Sequence, residues 1–335
     1  AQVEPVKKEY DSKKNKAVMA YQEYLKNYST TNNAPINLAR LAGTLLELGR
    51  HKEAVDNFQT LIRDYAHYND QKPECDPQKA SQALFSLAQA QTEAGMDAEA
   101  AATFKRLVNN PRPKLKAEVE QFSVARLRTI ADLASRVNAH EATYFATQEL
   151  LKRISTKSKD TASLSKGTIE MTYIAAAEAA LRSNKPKEAV ELLDKLLAYN
   201  PRTALFFQVK FLQAEARASM TPPDLDGAER ALNEITIYTK DPTVSNRAIC
   251  KAGDLLVRSG DPEKQKQAIA RYQMIINFAD YSNKANHPYI EQSIIATARL
   301  NKKNNEPKET NEKLYQTYRK YFPNGQFLEE LGRLR

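Results

Sequence analysis

The sequence predicts an all-α fold built from paired helices, and three observations carry that prediction. Glycine is scarce, nine in 335 residues, about a third of average usage, which disfavours turn-rich β architectures. A turn residue is followed again and again by a small residue and two large apolar ones, at steps of five, four and three. A second helical pattern precedes each of these copies. Apolar spacing of three and four places side chains on one face of a helix, whereas a half-buried strand would alternate.

Taken in chain order, residues 1–33 read as an N-terminal packing helix, with Tyr21, Tyr24, Leu25 and Tyr28 spaced for one face. In the first clear copy Leu38, Leu41, Ala42 and Leu45 lead into Gly49, then Ala54, Phe58 and Leu61. In the second, Leu84, Leu87 and Ala88 lead into Gly95, then Ala100, Phe104 and Leu107. In a third, Tyr173, Ala176, Ala177 and Ala180 lead into Asn184, Ala189, Leu193, Leu196 and Pro201. Looser copies run through Gly227, Ala228, Leu232 and Ile235, and through Gly260, Ala268, Tyr272 and Ile275; the stretch from Ala131 to Leu151 is degenerate. Each first helix carries a small residue opposite the small residue of the second. Helices cross closely only where side chains are small, so the paired alanines mark crossings.

Helix starts are signposted. Asp76-Pro77 and Asp261-Pro262 place a side-chain acceptor before a first-turn proline, the preferred order at a helix N-terminus. Pro35, Pro186, Pro288 and Pro307 sit where helices should begin. Ser155–Gly167, rich in Ser, Thr and Lys, reads as the most mobile loop, and a short last helix is expected over 326–334.

These residues resemble the tetratricopeptide repeat (TPR). Leu38, Leu41, Ala42, Gly49, Ala54 and Phe58 match its pattern, as do Leu84, Leu87, Ala88, Gly95, Ala100 and Phe104, and in part Tyr173, Ala177, Ala189 and Pro201. The resemblance implies a right-handed superhelical TPR solenoid of about seven helix pairs, with the array over 34–323 and a capping helix over 324–335. Two features depart from the family: Trp is absent, and the period is about 40 to 46 rather than 34. Long periods, with the ending Tyr318-Arg-Lys-Tyr-Phe-Pro, are similar to bacterial envelope TPR proteins of the outer-membrane assembly and Tol-Pal coordination types. With a polar, non-Met start at Ala1, that similarity suggests an exported chain with its signal removed, periplasmic or secreted rather than cytoplasmic.

Little in the sequence points to catalysis. His140-Glu141 is followed by Tyr144 where a helical zinc motif needs His. No glycine spacing suits a phosphate loop, and no metal or cofactor is expected. Cys75 and Cys250 are four units apart, so they should not be bridged. The expected function is therefore a non-enzymatic protein-interaction scaffold. The alternatives are an enzyme whose site is assembled across distant repeats, or a nucleic-acid-binding helical repeat. Against the latter, the 16 Tyr mostly sit at core spacing rather than interleaved with basic residues.

The net charge is +9. It is unevenly spread: +2 over 1–33, +3 over 34–282 and +4 from 283 onward. The resemblance implies a concave groove lined by the first helices, with Phe85, Gln89, Ile174, Glu178, Gln213, Arg217, Arg258 and Arg299 at outward-facing positions. Family members that clamp a chaperone's C-terminal carboxylate need Lys and Asn where this chain has Ala39 and Gly43, then Phe85 and Gln89, so that ligand is not expected. The expected partner is an acidic or amphipathic protein segment, with the three arginines gathered on one face. The competing reading pairs them with neighbours such as Glu215 and Asp254.

Overall fold

The computed structural model describes residues 3–335, with side chains from Lys7 onward. The Ala1–Gln2 start, on which the export expectation partly rests, lies outside the described residues. Among the described residues there are 17 α-helices and no strand. The chain divides into two compact units, the first ending at Asn184 and the second spanning Lys185–Arg335.

The first unit holds α1 (Val3–Tyr28), α2 (Ala34–Glu47), α3 (His51–Asp64), α4 (Pro77–Glu93), α5 (Asp97–Val108), α6 (Pro113–Glu120), α7 (Val124–Arg136), α8 (His140–Ser155) and α9 (Lys166–Arg182). Its pairs are α2/α3, α4/α5 and α7/α8. The crossings fall where the alanines were read: Ala42, Ala54, Ala88 and Ala100 are all wholly buried. Phe58, Leu61, Phe104 and Leu107, one and two turns on, fill the space beside them. Full burial of a side chain of this size contributes about 1.5–3 kcal/mol.

Turn chemistry sets the pairing. Gly49, Gly95 and Gly260 take φ near +74°, and Asn138, Asn184 and Asn305 take φ of 55–59°. A left-handed residue ends one helix and reverses the chain into the next, and Gly and Asn adopt that conformation at least cost. The degenerate stretch is thereby explained. From Asn138 the same five-four-three steps reach Thr143, Thr147 and Leu150, all buried; threonines stand where alanine and phenylalanine stand elsewhere. The short helix α6, opened by Pro113, was not anticipated.

The loops are more tethered than their composition suggests. In the 155–167 segment a 3₁₀ turn buries Thr161, Asp160 pairs with Arg153 at 3.0 Å, and Ser165 caps α9. The expectation of a mobile loop gave weight to polarity and missed these anchors. In the α3–α4 connection, Asp70 is 6% exposed and accepts from Arg106 and Asn110.

The second unit holds α10 (Pro186–Tyr199), α11 (Phe206–Ala218), α12 (Leu225–Tyr238), α13 (Pro242–Arg258), α14 (Pro262–Phe278), α15 (His287–Lys303), α16 (Lys308–Tyr321) and α17 (Leu328–Leu334). Consecutive helices pack from α10 to α17. Asp76, Asp241 and Asp261 each cap the helix that follows them by accepting from its first N–H groups. The caps at Asp76 and Asp261 follow the sequence reading, and Asp241-Pro242 adds a third.

Candidate functional site

Each unit carries a groove between first helices. In the first unit, Arg128, Thr129, Asp132 and Ser135 of α7 face Thr168, Met171 and Thr172 of α9, with Leu150 of α8 below, around about 580 Å3. In the second, α11 and α13 flank a groove of about 320 Å3. Its walls are Phe211, Ala214, Glu215, Ala218 and Ser219 of α11 and its end, facing Lys251, Asp254, Leu255 and Arg258 of α13, with Leu232 of α12 behind; the Glu215 carboxylate is exposed at the rim. Ala214 and Ala218, one turn apart, are short enough to leave the groove open.

The α13 wall is charged by helical arithmetic. Positions 247, 251, 254 and 258 differ by four, three and four, so Arg247, Lys251, Asp254 and Arg258 share one face. Arg247, Lys251 and Arg258 are exposed and enter no ion pair among the described residues. The Arg247 guanidinium lies 4.2 Å from the Phe211 ring centroid, a cation–π contact. Arg258 donates through Nη2 to the Ala218 carbonyl at 3.3 Å, bridging the two walls.

Asp254 is the one acid on that face, and it is committed elsewhere. It accepts from the Tyr272 hydroxyl at 2.7 Å and from Gln292 Nε2 at 2.8 Å. Burial raises its carboxyl above the ordinary aspartate value, against the lowering pull of those donors and Lys251. Cys250, next to it in the core, is pushed up to about 12 by burial, which leaves no reactive thiolate. Cys75 and Cys250 are both free.

The residues expected to line a groove divide three ways. Phe85, Ile174 and Gln213 are buried at 8%, 2% and 3% exposure, which corrects their outward-facing placement. Phe85 stacks edge-on with Phe122 at 6.0 Å, and Arg126 covers its ring; the turn after α6 and the first turn of α7 bring these partners. Gln213 donates to Asp194 at 2.6 Å, tying α11 to α10. Gln89 is half-buried and Glu178 exposed. The arginines do recur near first-helix ends, and two of them are held in ion pairs: Arg217 pairs with Asp224 at 2.7 Å and Arg299 with Glu330 at 2.8 Å. Their partners come from the turn after α11 and from α17, not from Glu215 or Asp254. Only Arg258 borders the α11–α13 groove. Sequence reading missed Phe211, Arg247 and Lys251, although the four–three–four spacing along α13 signals them.

The sequence model of the tetratricopeptide repeat matches residues 39–113, spanning α2 through α5. The chain carries tetratricopeptide repeats over these helices. TPR proteins generally mediate protein–protein interaction and are generally non-enzymatic. A TPR protein from Parabacteroides merdae is 14% identical with a TM-score of 0.38, covering 90% of this chain and 98% of that one. The C-terminal part of a TPR-containing protein from Cytophaga hutchinsonii is 16% identical with a TM-score of 0.37, covering 84% and 98%. PilF from Pseudomonas aeruginosa is 13% identical with a TM-score of 0.32, covering 83% and 98%. No curated protein matches the chain significantly. No helix of the TPR chain is long and apolar enough to cross a membrane among the described residues.

Proposed function

We propose that this TPR protein is a non-enzymatic scaffold whose α11–α13 groove takes an acidic or amphipathic segment of a partner protein. One observation carries the reading. Arg247, Lys251 and Arg258 stand exposed and without ion pairs on one face of α13, beside the apolar walls of Phe211, Ala214 and Leu255. Arginine recognises carboxylates through a planar two-pronged donor set, and the apolar wall gives a partner helix a surface to bury.

The bacterial envelope is the proposed setting, supported by the likeness of the Tyr318–Pro323 ending to envelope TPR proteins; cell fractionation tests it. The rival reading, an enzyme assembled across repeats, needs histidines converging with carboxylates. His51 borders a shallow pocket with Glu53 and Glu93, and His140 one with Glu141, but among the described residues no three His, Cys, Asp or Glu side chains are grouped to hold a metal.

Photo-crosslinking in the native cell tests the groove. A photoreactive residue at Ser219, exposed at the groove's rim, should yield an adduct with one defined protein. The adduct should disappear in an Arg247→Glu, Lys251→Glu, Arg258→Glu variant and weaken in wild type as salt rises. An adduct that survives charge reversal, or none at all, rejects this groove as the site.

A further inference from the structure

The second unit has an edge that the groove does not use. Its large, exposed hydrophobic residues are Tyr199, Ile237, Tyr238, Met274, Phe278 and Tyr321, at 43%, 70%, 65%, 49%, 84% and 43% exposure. Every one lies in the last turns of a second helix. Tyr199 ends α10, Ile237 and Tyr238 end α12, Met274 and Phe278 close α14, and Tyr321 ends α16. Chance scatter would place some of them on first helices or at helix starts.

Topology brings these ends together. Consecutive helices in the unit run antiparallel, so α10, α12, α14 and α16 run in one direction and finish at one edge. Cross-links fix the register between α12 and α14: Asp226 pairs with Lys264, and Arg271 donates to Asn233 and Glu229. Carried one turn further along both helices, that register sets Ile237 beside Met274 and Phe278. The polar seam thus ends in an apolar patch, and single scattered hydrophobes would need no explanation where a contiguous patch does.

The surroundings are basic. The four helix ends and the loops after them, 199–205, 237–241, 274–286 and 318–324, carry Arg202, Lys240, Lys284, Arg319 and Lys320 against Asp241 and Asp280. All seven are exposed. Both acids are turned to local backbone work, Asp241 accepting from the Thr243 N–H and Asp280 from the Ser282 N–H. None of the five bases has an ion-pair partner among the described residues, and Lys320 lies over the Tyr321 ring.

We infer that this edge docks on an anionic lipid surface. Tyr and Phe with flanking Lys and Arg are the side chains that partition to a bilayer interface, rings at the headgroup level and cations on the lipid phosphates. The row sits on the last turns of the helices and lines neither groove described above, so its exposed rings and flanking cations can meet a bilayer interface. The edge shares no residue with the basic face of α13, so this docking and the proposed groove stand or fall separately.

Vesicle co-flotation of the full chain tests it, using phosphatidylcholine alone and phosphatidylcholine mixed with phosphatidylglycerol. The protein should float with the anionic vesicles only, and salt should release it. An Ile237→Ser, Phe278→Ser variant and a Lys240→Glu, Lys284→Glu variant should each lose most of that binding. Helicity and melting midpoint should hold, since the side chains are exposed; the single Phe278→Ser change is the milder check. Absent or charge-blind flotation overturns the inference, as do variants that float like wild type. So does a wild type that ignores vesicles while the variants change its mass in light scattering or its retention of an acidic protein, which would assign the edge to a second copy or to a protein partner.

Discussion

The Tyr272 hydroxyl donates to Asp254 Oδ1 at 2.7 Å. The ring that delivers it comes from α14, the second helix of the pair, and is almost wholly buried. Asp254 stands on α13 and also accepts from Gln292 of α15. One carboxylate therefore joins three helices just behind the charged face of the groove. The next repeat repeats the device, with the Tyr318 hydroxyl of α16 donating to Glu291 of α15 at 2.5 Å.

Removing the hydroxyl with Tyr272→Phe leaves the ring packing intact and takes one donor from a desolvated carboxylate. The expected loss is about 1–3 kcal/mol, read as a lower urea midpoint with unchanged slope. The hydroxyl also holds the Asp254 carboxyl down against burial, so the variant should raise that group's value further. Unaltered stability would mean that water replaces the phenol and that the joint is open to solvent.

Burial raises the Asp254 value above its unfolded one, and the sign of the resulting pH dependence follows. The folded state holds the proton more tightly than the unfolded chain. Stability from this group is therefore complete below the unfolded value and is lost as pH rises through the folded value. Asp254→Asn is neutral at all pH, so its stability relative to wild type should rise as pH climbs from the ordinary aspartate value through the raised folded one. A flat or falling difference across urea melts in that range would show that the two donors outweigh burial.

Gly253, the neighbour of Asp254, has no room for a side chain. A Cβ there would sit 2.6 Å from Tyr272 Cε1 and 2.8 Å from its Cζ. Alanine is the better helix former by about 1 kcal/mol, yet overpacking a filled crossing costs roughly 1–3 kcal/mol. Gly253→Ala should thus lower the melting midpoint. Combined with Tyr272→Leu, which retracts the ring, it should cost less than the sum of the two changes. Strict additivity would place the ring elsewhere.

Fold and site differ in how much of each was written in the chain. Helix pairing was legible because its causes are local: an alanine at most crossings, a left-handed Gly or Asn at most turns, Asp-Pro at the starts of α4, α13 and α14. It faded where other residues met the same need, as Thr143 and Thr147 do after Asn138. The site was less legible because exposure is not local. Phe85 shares its helical face with outward positions and is covered by Phe122 of the α6–α7 turn and Arg126 of α7. Arg217 and Arg299 have acids elsewhere in the chain brought to them by a turn and by α17. The polar stripe on α13 was readable from spacing, and it names the groove better than a recurrence of arginines did.

Ala54 tests the repeat register itself. It is wholly buried where α3 crosses α2 at Ala42, with Phe58 a turn away. Ala54→Leu adds three carbons at a point where backbones approach closely, at a cost of roughly 1–3 kcal/mol or more. An unchanged melting midpoint would move the crossing away from this residue.

Asp70 offers the last test, of how an insertion between repeats is held. The connection from α3 to α4 is longer than a tight turn requires, and its only buried acid, Asp70, reaches across to α5 and the turn after it. There it accepts from Arg106 Nε at 3.0 Å, from a second Arg106 nitrogen, and from Asn110 Nδ2 at 2.8 Å. Asp70→Ala strands both donors. Breaking a fully buried pair costs about 3–5 kcal/mol, but the Arg106 side chain is 34% exposed and water recovers part of that. The expected loss is about 2 kcal/mol, between the buried and the exposed limits. In a double-mutant cycle with Arg106→Ala, the two changes should couple by about 1 kcal/mol or more. Because the contact holds a loop rather than the crossings, amide exchange in the 66–76 segment should rise more than exchange in α2 to α5. Uniform acceleration through all four helices would instead make the Asp70–Arg106 contact part of the global fold, and the insertion a structural element of the repeat rather than a pinned connection.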